Sequence, residues 1–265
     1  MNFKTAIAQT ELCENIEQNI KKAAKMSEYA AMQGASVIVF PEVFLSSFPA
    51  DTSNERRLEA ARKCATDAVE SMQKIAKDNK IWLIFGMYEP ADETKNYNTT
   101  VVINDKGDIE ARYRKTHLYD AFSYKESDNI VPGRSLFTPL DTPFARIGIM
   151  VCYEVRFPEI ARYEALNGCD IIFMPTAWFD GKGKKEQLEL LTRCRALENT
   201  VFVAMSDICK GGRSGMSMIV DPLGNVLASA GEEECVVIAD IDTDIIKKVR
   251  KTLPVLENIR PELYK

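Results

Sequence analysis

The apolar runs of this chain constrain its fold most, because they come in two lengths with two periods. Val37–Phe40, Ile81–Phe85, Ile171–Met174 and Val201–Met205 are short and apolar throughout, as strands buried on both faces are. Longer stretches between them carry helical spacing. Leu12, Ile16, Ile20, Ala23 and Ala30 share one helical face ahead of a stop at Gly34. Glu55 to Asp78, Pro158–Asn167, Gly183–Asn199 and Asp244–Lys251 read as further helices. Strand and helix therefore alternate, but two turn signals interrupt them. Asn104-Asp105-Lys106-Gly107-Asp108 joins Thr99–Ile103 to Ile109–Tyr113, and Asp221-Pro222-Leu223-Gly224-Asn225 joins Met218–Val220 to Val226–Leu227. Thr5–Ala8, Phe144–Val151 and Val236–Ile241 complete the strands. Such hairpins argue against a purely parallel sheet. Two mixed sheets packed as a sandwich, with helices outside, fit the α/β pattern. No linker-like segment divides the chain, so residues 1–265 read as one domain, within the size range of a single α/β unit.

One internal likeness agrees with two similar halves. Gly34 to Pro41 and Gly168 to Pro175 share the same Gly-to-Pro spacing, each after a helix and each followed by an aromatic residue. Glu42 and Thr176 then stand at equivalent strand ends, unless the likeness is that of any two buried strands.

Composition narrows the function. With 34 Lys and Arg against 39 Asp and Glu, the formal charge is −5, which offers no surface for a polyanion and argues against nucleic acid. The single histidine, His117, leaves little room for an imidazole-rich zinc site. Seven dispersed cysteines without a C-x-x-C suit reduced thiols in the cytoplasm. No apolar run approaches the ~18 residues of a membrane span, and the N-terminus lacks a signal-peptide core.

Three reactive residues sit where strands stop: Glu42 after Val-Ile-Val-Phe-Pro, Lys115 after Tyr113-Arg114, and Cys152 after Ile147-Gly-Ile-Met-Val. Strand ends of open α/β sheets are where ligands bind. A thiol on a strand–turn–helix corner lies beside backbone N–H groups, as an acyl-transfer nucleophile requires. Taken singly, each has an ordinary reading: an inert core thiol, a helix-start charge, a solvated lysine.

The strings around them alter that weighing. Phe40-Pro41-Glu42, Tyr113-Arg114-Lys115-Thr116-His117-Leu118 and Val151-Cys152-Tyr153-Glu154-Val155-Arg156-Phe157-Pro158-Glu159 resemble, in order and separation, the three signature segments of the nitrilase superfamily of carbon–nitrogen hydrolases. The likeness continues through Arg195-Ala196-Leu197-Glu198-Asn199, Asp221-Pro222-Leu223-Gly224 and a tail from Leu253-Pro254-Val255 to Tyr264. It implies a four-layer α-β-β-α sandwich, a catalytic Glu–Lys–Cys triad of Glu42, Lys115 and Cys152, and a supporting glutamate at Glu126. It implies no cofactor and no metal, a small-molecule amide as the partner, and assembly as a homodimer or larger homo-oligomer.

The chemistry suits those roles. Glu42 would act as general base for the thiol, and Lys115 with the backbone N–H of Tyr153 would stabilise the oxyanion. Hydrolysis would pass through a Cys152 thioester with release of ammonia, and Glu126 would orient Lys115 or the amide. Thr116-His117-Leu118-Tyr119-Asp120-Ala121-Phe122 is similar to deaminated glutathione amidases, and the tail is similar to these and to omega-amidases, which act on 2-oxoglutaramate. Both substrates carry carboxylates, so a cationic pocket residue is required. Arg156 is one candidate, ion-paired to Glu154 or Glu159 in its ordinary reading. Trp178, Tyr124, Phe122 and Thr176 are candidates to border the pocket. Gln187 and Leu188 stand where both subfamilies usually have His-Trp, which weakens the substrate reading and leaves the triad untouched. Other readings are an N-carbamoyl amidase or nitrilase of the same superfamily, a silent binding protein on the same scaffold, a thiol redox protein, and a Cys–His hydrolase using His117.

Overall fold

The computed structural model describes residues 1–122 and 124–263, so Tyr264 of the tail motif lies outside the described residues. Its first strand, Asn2–Glu11, accounts for the two sheets. Residues 2–9 pair antiparallel with Cys235–Asp242 on one side, and residues 4–7 pair parallel with Ala35–Val39 on the other. At Thr10 and Glu11 the partner changes to Ile208 and Cys209 of the Phe202–Lys210 strand. That exchange joins two half-sheets. The first runs Ile109–Arg114, Asn96–Ile103, Trp82–Pro90, Ala35–Val39, Asn2–Glu11, Cys235–Asp242. Phe202–Lys210, Ile171–Thr176 and Arg146–Ile149 form the second, with the Met218–Val220 and Val226–Ser229 hairpin on its other edge.

Strand alternation then makes the layers. Val37 and Val39 belong with Ile7, Ile84, Ile147 and Ile149 to the core between the half-sheets. Ile38, between them in sequence, packs with Leu83, Phe85, Ala23 and Met72 under the helices Ile16–Met32 and Val69–Asn79. Phe144 crosses the interior, its ring 5.0 Å from Phe3 and 5.7 Å from Trp82. Pro158–Leu166 and Lys184–Asn199 pack together on the second half. The result is the single-domain α-β-β-α sandwich that the sequence implies.

Several boundaries differ, for local reasons. The first strand is ten residues long instead of four. Of its polar positions Gln9 is fully buried and donates to the carbonyls of Gly231 and Glu233. Leu12 precedes the first helix, because the Asn15 side chain accepts from Gln18 N at 2.8 Å and starts the helix at Ile16. The Glu55 to Asp78 helix is Asn54–Lys63 and Val69–Asn79 around one π-helical turn, Cys64–Ala68. The Phe144–Val151 strand contracts to Arg146–Ile149. Gly34 and Gly168 both take a φ of 83°, a turn that only glycine enters freely, and the strands they launch lie in opposite half-sheets. All seven cysteines are free thiols. Among the described residues no helix is long and apolar enough to cross a membrane.

Candidate active site

Pro41 ends the Ala35–Val39 strand, and Val43 beyond it takes a left-handed φ of 47°, so the chain turns with Glu42 at the bend. Gly86 on the adjacent strand packs against that bend. A β-carbon at 86 would stand 2.3 Å from Val43 N and 2.8 Å from Glu42 Cα. Gly86→Ala should therefore displace Glu42 and lower kcat by up to about 10²-fold. Steady-state kinetics run beside a melting curve test this. An unchanged kcat with a lowered Tm would mean that Gly86 serves packing alone.

Lys115 leaves the Ile109–Arg114 strand with its N–H donating to Asn98 O at 2.9 Å. Its ammonium donates to Glu42 Oε1 at 2.8 Å and to Glu126 Oε2 at 2.9 Å. Asn98 Nδ2 bridges the same carboxylates, at 2.7 Å to Glu42 Oε1 and 3.0 Å to Glu126 Oε1. Tyr119 N completes the cage at 2.7 Å from Glu126 Oε2. The side chains of Lys115, Glu42 and Glu126 are 2%, 6% and 9% exposed, so water screens these charges little.

Cys152 opens a short 3-10 helix, Cys152–Arg156, with a φ of 46°, a strained corner for a residue with a side chain. Glu154, fully buried, holds that corner. Its carboxylate accepts from Val151 N, Thr116 N, Thr116 Oγ1 and Tyr113 Oη, all at 2.7–2.8 Å, tying the Cys152 corner to the segment around Lys115.

The charges settle in a definite resting pattern. Burial works against the Glu42 carboxylate, yet the Lys115 ammonium and hydrogen bonds from Lys115, Cys152 and Asn98 hold it below the ordinary carboxylate range. Burial likewise opposes the Lys115 charge, but Glu126 and Glu42 keep its ammonium well above the ordinary lysine value. Burial and then the charge of Glu42 push the Cys152 thiol well up, against Lys115 and the Ala177 N–H. A neutral thiol thus rests beside an ionised carboxylate and a locked ammonium.

Glu42, Lys115, Glu126, Cys152, Tyr124 and Trp178 line one cavity. The structure brings these sequence candidates together, and Tyr153 supplies an N–H in the first turn after Cys152, where helical N–H groups lack partners. Three other candidates do not line the cavity. Arg156 pairs with neither Glu154 nor Glu159; it donates to Gln187 Oε1 at 2.8 Å and lies over the Trp178 ring. Thr176 is fully buried and donates to Met174 O of its own strand. Phe122 is 71% exposed and stacks on Tyr119 from outside. His117 is also outside the lining, bonded to Thr116 and packed on Phe157. Gln187 accepts from Arg156 and Leu188 is buried in the core, and neither lines the cavity.

Asn98, Tyr119, Lys184 and Arg213 line the cavity and were not read from the sequence. Asn98 stands just ahead of the Thr99–Ile103 run, and only the observed strand, Asn96–Ile103, takes it in. Among the described residues no cluster of His, Cys, Asp and Glu could hold a metal ion.

The model of the carbon–nitrogen hydrolase family matches residues 4–251. The chain is 34% identical to the omega-amidase NIT2 of Homo sapiens over 99% of this chain and 97% of that protein. With the same enzyme of Xenopus tropicalis it shares 32% over 99% and 96%. A carbon–nitrogen hydrolase from Helicobacter pylori G27 superposes with a TM-score of 0.91 at 25% identity, covering 99% of this chain and 97% of that one. A mutant amidase from Nesterenkonia sp. AN1 superposes with a TM-score of 0.83 at 25% identity, covering 99% and 95%. That amidase carries the acetamide moiety of fluoroacetamide covalently on its active-site cysteine.

Proposed function

This chain belongs to the carbon–nitrogen hydrolase family, and from that premise we propose that it hydrolyses the amide bond of a small carboxylate-bearing substrate through a thioester on Cys152. The observation that carries the reading is the convergence of Glu42, Lys115, Glu126 and Cys152 on one cavity, with the thiol neutral and Glu42 ionised.

Cys152 Sγ attacks the amide carbon while its proton passes to Glu42, and the carbonyl electron pair moves onto oxygen. Lys115 and the Tyr153 N–H stabilise that oxyanion. The carbon–nitrogen bond then breaks, and the leaving nitrogen takes the proton from Glu42. Glu42 next deprotonates water, which attacks the thioester carbon; the carbon–sulfur bond breaks and Glu42 returns the proton to sulfur. Glu126 and Asn98 hold Lys115 and Glu42 in register throughout. The net reaction is amide plus water to acid plus amine. Ammonia leaves from a primary amide such as 2-oxoglutaramate, and a peptide amine from deaminated glutathione, so ammonia release alone would miss the second.

The test reads the acid product for 2-oxoglutaramate, deaminated glutathione and a nitrile, and the released amine for an N-carbamoyl amine, and follows Cys152 by intact-mass and peptide mapping. Acid formed from an amide, with a transient acyl adduct on Cys152, is expected. Acid without an adduct on Cys152, or no acid from any amide while the thiol is reduced, would overturn the reading. The latter would favour a silent binding scaffold.

A further inference from the structure

The cavity carries more positive charge than its chemistry uses. Lys115 is matched by Glu42 and Glu126, which leaves that floor with one net negative charge. On the wall stand Lys184 and Arg213, with Arg156 just behind Trp178. Among the described residues none of these three forms an ion pair with a carboxylate; the nearby Lys185, by contrast, pairs with Glu232. Wall and floor together thus hold two net positive charges in a protein whose overall charge is −5.

The three cations rest on aromatic faces instead. Lys184 Nζ lies 3.5 Å from the Phe122 ring centroid and 5.9 Å from that of Trp178, while Arg156 Cζ lies 4.9 Å from Trp178. Arg213 Cζ lies 3.9 Å from the Phe179 centroid. Stacking engages the face of a guanidinium and leaves its N–H edge for an oxyanion. The buried Nε atoms of Arg156 and Arg213 have no partner. Two like charges sharing the Trp178 ring repel, and burial followed by Arg156 depresses the Lys184 ammonium below its usual range. A bound anion would relieve both effects. Tyr119 Oη, 3.5 Å from Lys184 Nζ, adds a neutral hydrogen-bonding group to the same wall.

We infer that the substrate carries two carboxylates beyond its scissile amide, and that Lys184 and Arg213 bind them with Arg156 in support. This rests on the amidase reading and narrows it. A substrate with one such carboxylate leaves a cation uncompensated; one with two neutralises the wall.

Binding to the native protein tests the inference without requiring turnover. Butyrate, glutarate and tricarballylate mimic acid products with none, one and two carboxylates beyond the one facing Cys152. Calorimetry should rank tricarballylate tightest. Lys184→Ala and Arg213→Ala should each weaken it about 10-fold to 10²-fold, with smaller losses for butyrate. Lys185→Ala should leave the ranking intact, and added salt should narrow it. Lys184→Gln and melting curves control for folding. Equal affinities across the three mimics, or losses equal for butyrate and tricarballylate in the variants, would overturn the inference. Tricarballylate binding with this pattern, in a protein that forms no acyl adduct, would sink the amidase reading and leave the anion site standing.

Discussion

Lys115→Met should abolish hydrolysis and destabilise the fold together. The ammonium lies between two buried carboxylates, so its loss leaves Glu42 and Glu126 facing each other across a site that water hardly reaches. Removing one partner of such a group typically costs about 3–5 kcal/mol, because the remaining charge is buried without compensation. The expected Tm loss is accordingly several degrees. Catalysis loses oxyanion stabilisation and the register of its base, at least about 10³-fold in kcat.

The sign of the pH dependence gives the sharper test. In the native protein the depressed Glu42 carboxyl contributes stability that is present above its unfolded value and lost as pH falls through its folded value. Without Lys115 the largest influence on Glu42, burial, acts unopposed by that cation and raises its proton affinity. Stability would then be lost as pH rises past the ordinary carboxylate value. Melting curves from about pH 2 to pH 8, spanning both sides of the ordinary carboxylate value, should show this reversal. An unchanged pH slope in a stable Lys115→Met protein would mean that Lys115 does not govern the charge of Glu42.

The second large effect belongs to Glu42→Gln. Glutamine nearly preserves shape but cannot accept the thiol proton, so kcat/KM should fall about 10³-fold, within the 10²- to 10⁴-fold usual for a positioned base. In the native enzyme the acid limb of kcat/KM should lie below the ordinary carboxylate range, because the base stays ionised there. The alkaline limb should lie well above the ordinary thiol value, because burial and Glu42 raise Cys152 and the carboxylates raise Lys115. A broad plateau between them is the expected profile. Residual activity of the variant should lose the acid limb. A native acid limb near neutral pH, or its survival in Glu42→Gln, would assign the base elsewhere.

What the sequence made legible was whatever has a short-range cause. Apolar runs such as Val37–Phe40 and the turn at Asn104–Asp108 announce themselves because burial and turn chemistry act over a few residues. Glu42, Lys115 and Cys152 were legible because each stands where an apolar run ends, and their strings set them in family order. The long-range matters were hidden. Gln9 and Thr10 look too polar for a strand interior until the carbonyls of Gly231 and Glu233 are in place to receive Gln9. Thr176 looked equivalent to Glu42, but its hydroxyl turned back onto Met174. Arg156, four residues after Cys152, is carried behind Trp178 by the 3-10 helix, while Lys184 and Arg213, distant in sequence, reach the wall. Nothing local marks a lysine after Gly183 as a wall residue.

The pairing of the first strand also has a consequence during synthesis. Among the described strands Asn2–Glu11 is the first to leave the ribosome, yet Cys235–Asp242, which covers its long edge, is the last. At typical elongation rates the two emerge on the order of tens of seconds apart. Throughout that interval a ten-residue strand carrying Ala6, Ile7 and Ala8 has one row of backbone groups without its partner. The nascent chain therefore passes through a stage at which that long edge has no strand beside it, and closure of the first half-sheet waits on the last strand.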